Sequence, residues 1–369
     1  MLTLFKESGE APASVDTSAW LKRQWRTGLD KSKILSVQDL EFFWQSEFPD
    51  HPAPDFAHWC QRMDLSWLAP FVTEELREIF LHGPQLCEAL GDERKTIPCD
   101  LTDEEWELWV ETLAARVRMD FNYTHPCRSH SLVWGDQSWR VTLLHASIGE
   151  GKTHKAFLRR LSATPKSLAS FALDDTGEEI LKALVKNHEN VLVAGATGSG
   201  KTTFLSTLIA EVEEDEHLVL LEDTPELCAR QPRLTRLISQ LAPGRSLTDY
   251  LAHALRLSPD RIVVGEMRSH EVVPFLLAMN TGHKGLMSTL HSSSAMDAIL
   301  RVAQLFVLAS AQKELNYQEV LRLVARNVGH VVFLEKRRVK EIIRVFGSDG
   351  DQVLYDQVWW REAGHSTSS

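Results

Sequence analysis

Residues 195–202, with the sequence GATGSGKT, have the types and spacing needed to bind the phosphates of a nucleotide. Glycines let the backbone fold around an anion with successive N–H groups pointing inward. Lys201 can reach the β- and γ-phosphates, and the Thr202 hydroxyl can ligate Mg²⁺. An ordinary glycine turn needs neither residue, so the motif predicts binding of a nucleoside triphosphate. The predicted phosphate-binding residues are Gly195, Ala196, Thr197, Gly198, Ser199, Gly200, Lys201, Thr202 and Thr203.

Two acidic groups follow apolar runs farther along the chain. Residues 222–226 come after the run 218–221, although a solvated acidic cluster at a strand end is common and alone does not indicate a site. Glu266 ends the β-branched run 261–265. A carboxylate at such a strand tip can hold Mg²⁺ through water or activate the attacking water, so beside a phosphate loop Glu266 favours function.

Two histidines flank another predicted strand. His283 and His291 stand before and after the run 286–290, so we expect them at the two ends of this strand. Either histidine can sense the γ-phosphate or only brace the fold. Ligands in open α/β sheets bind at the carboxyl ends of the strands, which is where these polar clusters are expected.

The elements that must position these residues alternate along the second part of the chain. Residues 191–194 predict a buried parallel strand, and 202–212 predict a helix. Further strands are expected at 218–221, 262–264 and 286–290, with helices between them. This alternation predicts an α/β fold, a RecA-like P-loop ATPase core with a parallel sheet. Antiparallel strands are expected after the core, at 328–334, 339–346 and 352–360.

Tryptophan usage divides the chain. Nine of the eleven tryptophans precede residue 140, and the other two are Trp359 and Trp360. We therefore predict a smaller α+β N-terminal domain before the ATPase core. The predicted segments are a poorly ordered extension with a small helical appendage over 1–69, the N-terminal domain over 70–150, a hinge over 151–165, the core over 166–361 and a tail over 362–369.

The bulk composition excludes several classes of protein. A net charge of −11 and a pI near 5.8 argue against a general nucleic-acid binder. The five cysteines form no C-x-x-C pair, which indicates reduced thiols in a cytoplasmic protein and no zinc site. The longest apolar runs are too short to cross a bilayer, so any membrane role is expected to work through a partner.

Four motifs in order resemble the type II/type IV secretion ATPases, which include the motors of type IV pili. They are the phosphate loop, LEDTPEL, PDRIVVGEMR and AMNTGHKGLMSTLHSSS, and they look like the Walker A motif, Asp box, Walker B motif and His box of that family. The variant resembles the CpaF-like motors of tight-adherence (Tad) pili and their conjugation-type relatives. With weaker upstream likeness, the resemblance covers roughly residues 70–345.

The resemblance implies a role for each matching residue. Lys201 and Thr202 would bind phosphate and Mg²⁺, and Glu266 would position or deprotonate water and contribute to the Mg²⁺ site. The other catalytic positions that it implies are Glu222 and Glu226 of the Asp box, His283 and His291 of the His box, and Arg268 after Glu266.

Several arginines complete the implied site. Arg236 would act at a subunit boundary. Gln240 and Ser258 stand where close relatives often carry arginine, which leaves stimulation between subunits open. The basic positions that would approach the phosphates from the N-terminal domain are Arg140 and either Arg159 or Arg160.

The leading hypothesis is an ATP-hydrolysing, Mg²⁺-dependent motor, assembled as a hexamer at the inner face of the cytoplasmic membrane. It would act on an inner-membrane platform protein to assemble a pilus or secrete a substrate, without a nucleic-acid partner. A nucleotide-binding scaffold or regulator with little turnover is the alternative that the missing arginines motivate. A motor acting on nucleic acid is the third, which the acidic balance disfavours.

Overall fold

The chain divides into two compact units, Met1–Leu161 and Ser162–Ser369. The computed structural model describes residues 15–149, 151–161, 165–240, 243–310 and 316–361. The predicted tail over 362–369 and the first fourteen residues of the predicted extension lie outside the described residues. Among those described, no helix combines the length and the apolar character that crossing a bilayer requires.

Over its described residues, the N-terminal unit consists of an antiparallel sheet and four α-helices. Its six strands run in the order β3-β2-β1-β6-β5-β4. The strands are β1 (Glu78–Gly83), β2 (Leu86–Leu90), β3 (Arg94–Thr96), β4 (Cys127–Trp134), β5 (Gln137–Leu144) and β6 (Lys155–Arg160). The helices are α1 (Thr17–Asp30), α2 (Val37–Glu47), α3 (Phe56–Arg62) and α4 (Asp103–Arg116).

Strand alternation builds the core of this unit. Trp139, Val141 and Leu143 of β5 are fully buried, whereas the residues between them are less so. The buried side chains pack in one cluster with residues from all four helices. Helix α4 begins with the capping box that starts at Thr102, and Trp25 of α1 donates from Nε1 to Thr112 Oγ1 of α4 at 2.8 Å.

The structure corrects the predicted extension. Residues 17–30, expected to be poorly ordered, form helix α1, and Trp20 and Trp25 are buried in the core of the N-terminal unit. The residues of α1 that are buried, including Leu21 and Gly28, fall on one face of the helix, so a mostly polar segment still has an apolar stripe. The polar composition of this segment led to the expectation of disorder, because composition does not report how apolar residues are spaced.

The structure also corrects the predicted hinge over 151–165. Half of its described part is strand β6, which pairs with β1 on one side and with β5 on the other. Ala156 and Leu158 are buried while their neighbours on the strand are less so, which is the alternation of a half-buried strand. A strand in the middle of a sheet cannot absorb the backbone rotations of a hinge.

Over its described residues, the C-terminal unit is built on an eight-stranded sheet in the order β14-β13-β12-β7-β11-β10-β8-β9. Six neighbouring strands, from β12 to β9 in this order, are parallel, and β13 and β14 are antiparallel. The strands are β7 (Val191–Gly195), β8 (Leu218–Glu222), β9 (Leu234–Ile238), β10 (Arg261–Met267), β11 (Met287–His291), β12 (His330–Glu335), β13 (Arg338–Asp349) and β14 (Gln352–Trp360). The helices are α5 (Asp175–Lys186), α6 (Lys201–Ala210), α7 (Leu247–Ala254), α8 (Val272–Asn280), α9 (Ala295–Ala309) and α10 (Tyr317–Asn327).

Both faces of the central sheet are buried. Every residue of β7 and β8 is buried, which matches the continuous apolar runs of the sequence. Helices α5 and α6 pack on one face, and α7 to α10 pack on the other. Because the central strands are parallel, their carboxyl ends meet along one edge, which carries the phosphate loop, Glu222, Glu266 and His291.

The last described strand is hydrogen-bonded to the cap of α5, the first α-helix described in the C-terminal unit. Trp359 of β14 donates from Nε1 to Asp174 Oδ1 at 2.8 Å, and the same oxygen accepts from Gly177 N at 2.8 Å as the cap of α5. A Cβ at Gly177 would lie 2.9 Å from Trp359 Nε1, so only glycine allows this approach. One carboxylate thus holds two distant parts of the chain together.

Candidate nucleotide-binding site

The phosphate loop, residues 195–202, connects β7 to α6. Three of its glycines have positive φ, namely Gly195 (155°), Gly198 (74°) and Gly200 (93°). A Cβ at Gly195 would lie 2.5 Å from the Leu334 carbonyl oxygen and 2.6 Å from Ser199 Oγ. No side chain fits there, which explains the first glycine of the motif as a packing requirement as well as a conformational one.

Lys201 points back into this loop. Its Nζ donates to the carbonyl oxygens of Gly195 at 3.0 Å and Ala196 at 2.9 Å, and burial lowers its pKa. Ser199 Oγ is buried in the same loop with no hydrogen-bond partner among the described residues. An ammonium resting on carbonyls and an unpartnered buried hydroxyl are groups that a bound phosphate would engage. The loop therefore fits a nucleotide phosphate.

The first turn of α6 carries the predicted metal ligand. Thr202 and Thr203 are half-buried there, and Ala196 and Thr197 are exposed on the loop. No cluster of three or more acidic, histidine or cysteine side chains in the described part of the chain is arranged to hold a metal ion. Mg²⁺ beside nucleotide phosphates usually takes one or two protein oxygens and several waters, so Thr202 fits a Mg²⁺–nucleotide complex.

Glu266 lies near the end of β10, held between two basic side chains. Arg268 donates from Nε to Glu266 Oε2 at 2.8 Å, and its Nη2 also contacts that oxygen. His291 Nε2 lies 2.7 Å from Glu266 Oε1. Thr289 Oγ1 donates to the Gly265 carbonyl oxygen at 2.8 Å and fixes the two strands here. The predicted Walker B glutamate and one predicted His-box residue are therefore in direct contact.

His291 joins Glu266 to the phosphate loop. Its Nδ1 lies 3.3 Å from Lys201 Nζ, and burial, followed by the charge of Lys201, lowers the pKa of the imidazole. A neutral ring with its proton on Nε2 suits both neighbours, because Nε2 then faces the carboxylate and Nδ1 accepts from the ammonium. Lys201, His291, Glu266 and Arg268 thus form one continuous polar chain.

Glu222 has a different environment from Glu266. It is 3% exposed, and its carboxylate accepts from Glu226 N at 2.8 Å, Leu227 N at 2.7 Å and Arg236 Nη1 at 2.9 Å. Burial raises the pKa of Glu222 to about 7, against these three donors, which favour the ionised form. Arg236 also donates to the Leu227 carbonyl oxygen at 2.9 Å. Glu222 and Arg236 therefore hold the loop after β8, where Glu226 is half-buried.

The two predicted His-box residues lie at opposite edges of the sheet. His291 pairs in register with Gly195 at the end of β7, and Met287 pairs with Val191 at its start. His283 precedes β11, in a loop whose Gly285 N donates to the His188 carbonyl oxygen at 2.7 Å. The five-residue strand separates His283 from the phosphate loop within one subunit, so of these two histidines it is His291 that lies beside the loop.

The three arginines predicted from the N-terminal domain differ in their surroundings. Arg140 of β5 and Arg159 of β6 are cross-strand partners, and Arg159 Nε lies 3.5 Å from Glu78 Oε1. Arg160 instead donates from Nη1 to the carbonyl oxygens of Thr73 at 2.8 Å and Glu74 at 3.0 Å, so it braces the chain before β1. Of the alternatives Arg159 and Arg160, Arg159 is the one beside Arg140.

A basic turn beside the phosphate loop was missed at the sequence level. Lys336 and Arg337 connect β12 to β13, and Arg337 N donates to the Ser199 carbonyl oxygen at 3.1 Å. The available signal was a run of three basic residues between two predicted strands, without the asparagine or glycine that a tight turn favours.

Comparison with known proteins places the chain among secretion proteins. A model of the family described as type II/IV secretion system protein matches residues 135–343. The conjugal transfer protein TrbB of Rhizobium radiobacter is 31% identical over 255 residues, covering 67% of this chain and 76% of that protein. The type IV secretion system protein VirB11 of Bartonella quintana is 32% identical over 171 residues, covering 45% and 48% of the two chains.

The fold also matches a solved structure. The X-ray structure of the ATPase DotB from Legionella pneumophila has a TM-score of 0.58 and 18% identity, covering 84% of this chain and 82% of that one. The predicted α/β fold with a RecA-like core is thereby confirmed. The chain belongs to the type II/IV secretion system protein family and has an α/β fold with a RecA-like core.

Proposed function

We propose that this chain hydrolyses ATP with Mg²⁺ as a hexameric motor for assembly of a Tad-like type IV pilus or for protein secretion. The observation that carries the proposal is the contact chain from Lys201 through His291 to Glu266, at the mouth of a loop that fits phosphate. The phosphate-binding lysine comes from the start of α6, the imidazole from β11 and the carboxylate from β10. A cation, a linking imidazole and a carboxylate in contact are the groups that water-mediated phosphoryl transfer needs.

Each residue has a role in this reaction. The loop N–H groups and Lys201, once it leaves the Gly195 and Ala196 carbonyls, bind the phosphates, and Thr202 would hold Mg²⁺. When bound, Mg²⁺ neutralises charge that develops on the phosphate oxygens. Glu266 orients water and accepts its proton. His291 keeps that carboxylate in place beside Lys201.

Arg268 controls when Glu266 can act. Its guanidinium occupies one carboxylate oxygen of Glu266, and its side chain is 60% exposed, so it has room to swing away. An ion pair with an exposed partner contributes little stability and is easily exchanged. We propose that Arg268 leaves Glu266 when nucleotide binds and pairs with phosphate.

The machine that the motor serves is proposed from the relatives. The matching proteins are named for conjugal transfer and type IV secretion, and the motif variant resembles the Tad pilus motors. We propose a cytoplasmic ring at the inner membrane that acts on a platform protein. In such a ring, Arg140 and Arg159 would reach phosphate from the N-terminal unit, and Arg236 would act at a subunit boundary after releasing Glu222.

Phosphate release from purified protein with Mg²⁺ and ATP tests the activity, with ring size measured by analytical ultracentrifugation in the same buffer. Lys201→Ala is expected to lower kcat by about 10²-fold or more. The variant lacks the ammonium group that would stabilise the negative charge developing on the phosphate oxygens. Lys284→Asn is the matched control, since Lys284 is exposed at the other edge of the sheet. No phosphate release from the assembled wild-type protein would contradict the proposal.

A scaffold with little turnover is a second candidate. Arg268 contacts one oxygen of Glu266, and His291 lies beside the other. Gln240 and Ser258 stand at two positions where the resemblance leads us to expect arginine. This alternative predicts normal ATP affinity, loss of assembly in Lys201→Ala, and negligible hydrolysis by the assembled wild-type protein. Measuring binding and turnover on the same sample separates the two candidates.

A further inference from the structure

The turn of residues Lys336 and Arg337 touches the phosphate loop directly. Strand β12 runs parallel to β7 with Leu334 opposite Gly195, so the turn that follows β12 emerges beside the loop. Arg337 N donates to the Ser199 carbonyl oxygen at 3.1 Å. A Cβ at Gly200 would lie 3.5 Å from Arg337 Cα, which puts the turn in van der Waals range of the residue before Lys201.

This turn keeps an unfavourable backbone conformation. Glu335 pairs with Arg338, which leaves a two-residue hairpin turn whose φ angles are 49° at Lys336 and 64° at Arg337. Such turns strongly favour asparagine and glycine, because a left-handed conformation costs a non-glycine residue roughly 1–2 kcal/mol. Two strained residues beside a ligand loop suggest that their side chains have a function there.

Both cations are available to a ligand. Lys336 and Arg337 are exposed, and among the described residues neither forms an ion pair. The neighbouring carboxylate of Glu335 pairs with Lys340 instead, at 3.2 Å. By contrast, Arg268 and Arg236 of the same unit are paired with Glu266 and Glu222. The turn therefore presents two uncommitted positive charges.

The position of the turn identifies the part of the nucleotide that it can reach. His291 and Glu266 lie on β11 and β10, on one side of β7, and the turn lies on the other side, after β12. A nucleotide whose γ-phosphate faces Glu266 leaves the loop with its sugar and base toward β12. The planar guanidinium of arginine stacks well on aromatic rings.

We propose that the Lys336–Arg337 turn is the base-binding part of the nucleotide site, with the Arg337 guanidinium stacked on the base. The inference rests on the proposed ATP-binding function and adds a subsite to it. Lys336 adds a second positive charge at the same turn.

The test replaces the turn by the residues that its backbone prefers. The double variant Lys336→Asn, Arg337→Gly removes both cations and is expected to fold at least as stably as the wild type, because it relieves the left-handed strain. Affinities for ATP, ADP and inorganic tripolyphosphate are measured at 0.15 M salt, where long-range charge effects are screened within about 8 Å. We expect about tenfold weaker ATP and ADP binding, and tripolyphosphate binding within about twofold of the wild type.

Three outcomes decide the matter. Unchanged ATP affinity in the double variant, with a normal wild type, overturns this proposal alone. Equal weakening of ATP and tripolyphosphate also overturns it, because the turn would then act only through its charge. A wild-type protein that binds no ATP overturns the proposed function itself. The control Lys284→Asn, exposed at the opposite edge of the sheet, is expected to bind all three ligands normally.

Discussion

In the sheet of the C-terminal unit, the carboxyl ends of the parallel strands form one edge and their amino ends form the opposite edge. Both edges carry charged groups, but they use them for different purposes. At the carboxyl edge, Lys201 rests on carbonyls, Ser199 Oγ has no partner among the described residues, and His291 is 46% exposed. At the amino edge, Arg261 is 1% exposed and donates to Glu216 Oε1 at 3.0 Å and to the Val185 carbonyl oxygen at 2.7 Å. The carboxyl edge therefore holds its charged groups in contacts that a ligand can replace, whereas the amino edge buries its charged groups in an ion pair.

The difference shows how to separate a site from a brace. A buried ion pair is strongly destabilising to break but is a poor place for chemistry, because neither partner can leave the other without an uncompensated charge. At the carboxyl edge, glycine geometry and loosely held side chains leave room for a ligand to replace existing contacts. The predictions below test this contrast, from the largest expected effect to the smallest.

Removing one partner of the buried Arg261–Glu216 ion pair should lower stability and leave the catalytic rate unchanged. Arg261→Ala is expected to lower the free energy of unfolding by about 3–5 kcal/mol, because the buried Glu216 carboxylate loses its guanidinium partner. Urea denaturation followed by circular dichroism measures the loss, and kcat is measured well below the unfolding temperature. The paired change Arg261→Met with Glu216→Leu should recover most of the stability. A stable Arg261→Ala protein with impaired kcat would contradict the view that the amino edge stabilises the fold and the carboxyl edge carries out the chemistry.

The mirror experiment at the carboxyl edge should spare stability and remove turnover. Glu266→Gln keeps the shape of the side chain but cannot accept a proton, so kcat is expected to fall by about 10³-fold, or about 4 kcal/mol. Single-turnover phosphate release provides the rate, and a thermal melt provides the control. Unchanged turnover would remove Glu266 from the chemistry, whatever its contacts with His291.

Glu222 lies at the carboxyl edge but is buried like the groups of the amino edge. Its folded-state pKa of about 7 is above the unfolded value of 4.5, so its contribution to stability is fully present below pH 4.5 and is lost as pH rises through 7. The change amounts to about 3 kcal/mol over this window. We expect the stability of the wild type relative to Glu222→Gln to fall by this amount between pH 4.5 and 8, as measured by denaturation at several pH values. A difference that does not vary with pH would show that its three donors keep the carboxylate ionised throughout.

The two histidines offer the finest comparison of the edges. His291→Ala is expected to lower kcat by about 10- to 100-fold, since Glu266 loses its link to Lys201. His283→Ala, at the amino edge, should leave kcat within about twofold. Parallel steady-state assays of the two variants in the assembled protein decide this. A larger effect from His283 would indicate that it reaches the site of a neighbouring subunit.

Local sequence patterns predicted the phosphate loop and the buried strands beside it better than they predicted the elements of the N-terminal unit. The phosphate loop and the buried strands are readable because glycine geometry and continuous apolar runs are local requirements. Helix α1 was missed because its apolar stripe is diluted by charge, and β6 because its alternation covers only six residues. The contact of Arg337 with Ser199 joins distant segments through strand order, which no local pattern encodes. The separation of His283 from His291 follows from strand direction and length, once the sheet is known to be parallel.

The link between Trp359 and Asp174 sets an order of events during synthesis. Residue 359 leaves the ribosome long after residue 174. The hydrogen bond from Trp359 to Asp174, which holds the start of the C-terminal unit, therefore forms only after residues 175–359 have been made. The N-terminal unit has no such wait, because all its strands precede residue 161. Since domains generally fold as units and N-terminal ones first, the nascent chain carries a finished N-terminal unit while its nucleotide-binding sheet still lacks an edge strand. Until β14 emerges, β13 is the outermost strand on that side of the sheet, and its unpaired backbone groups are what a chaperone would protect.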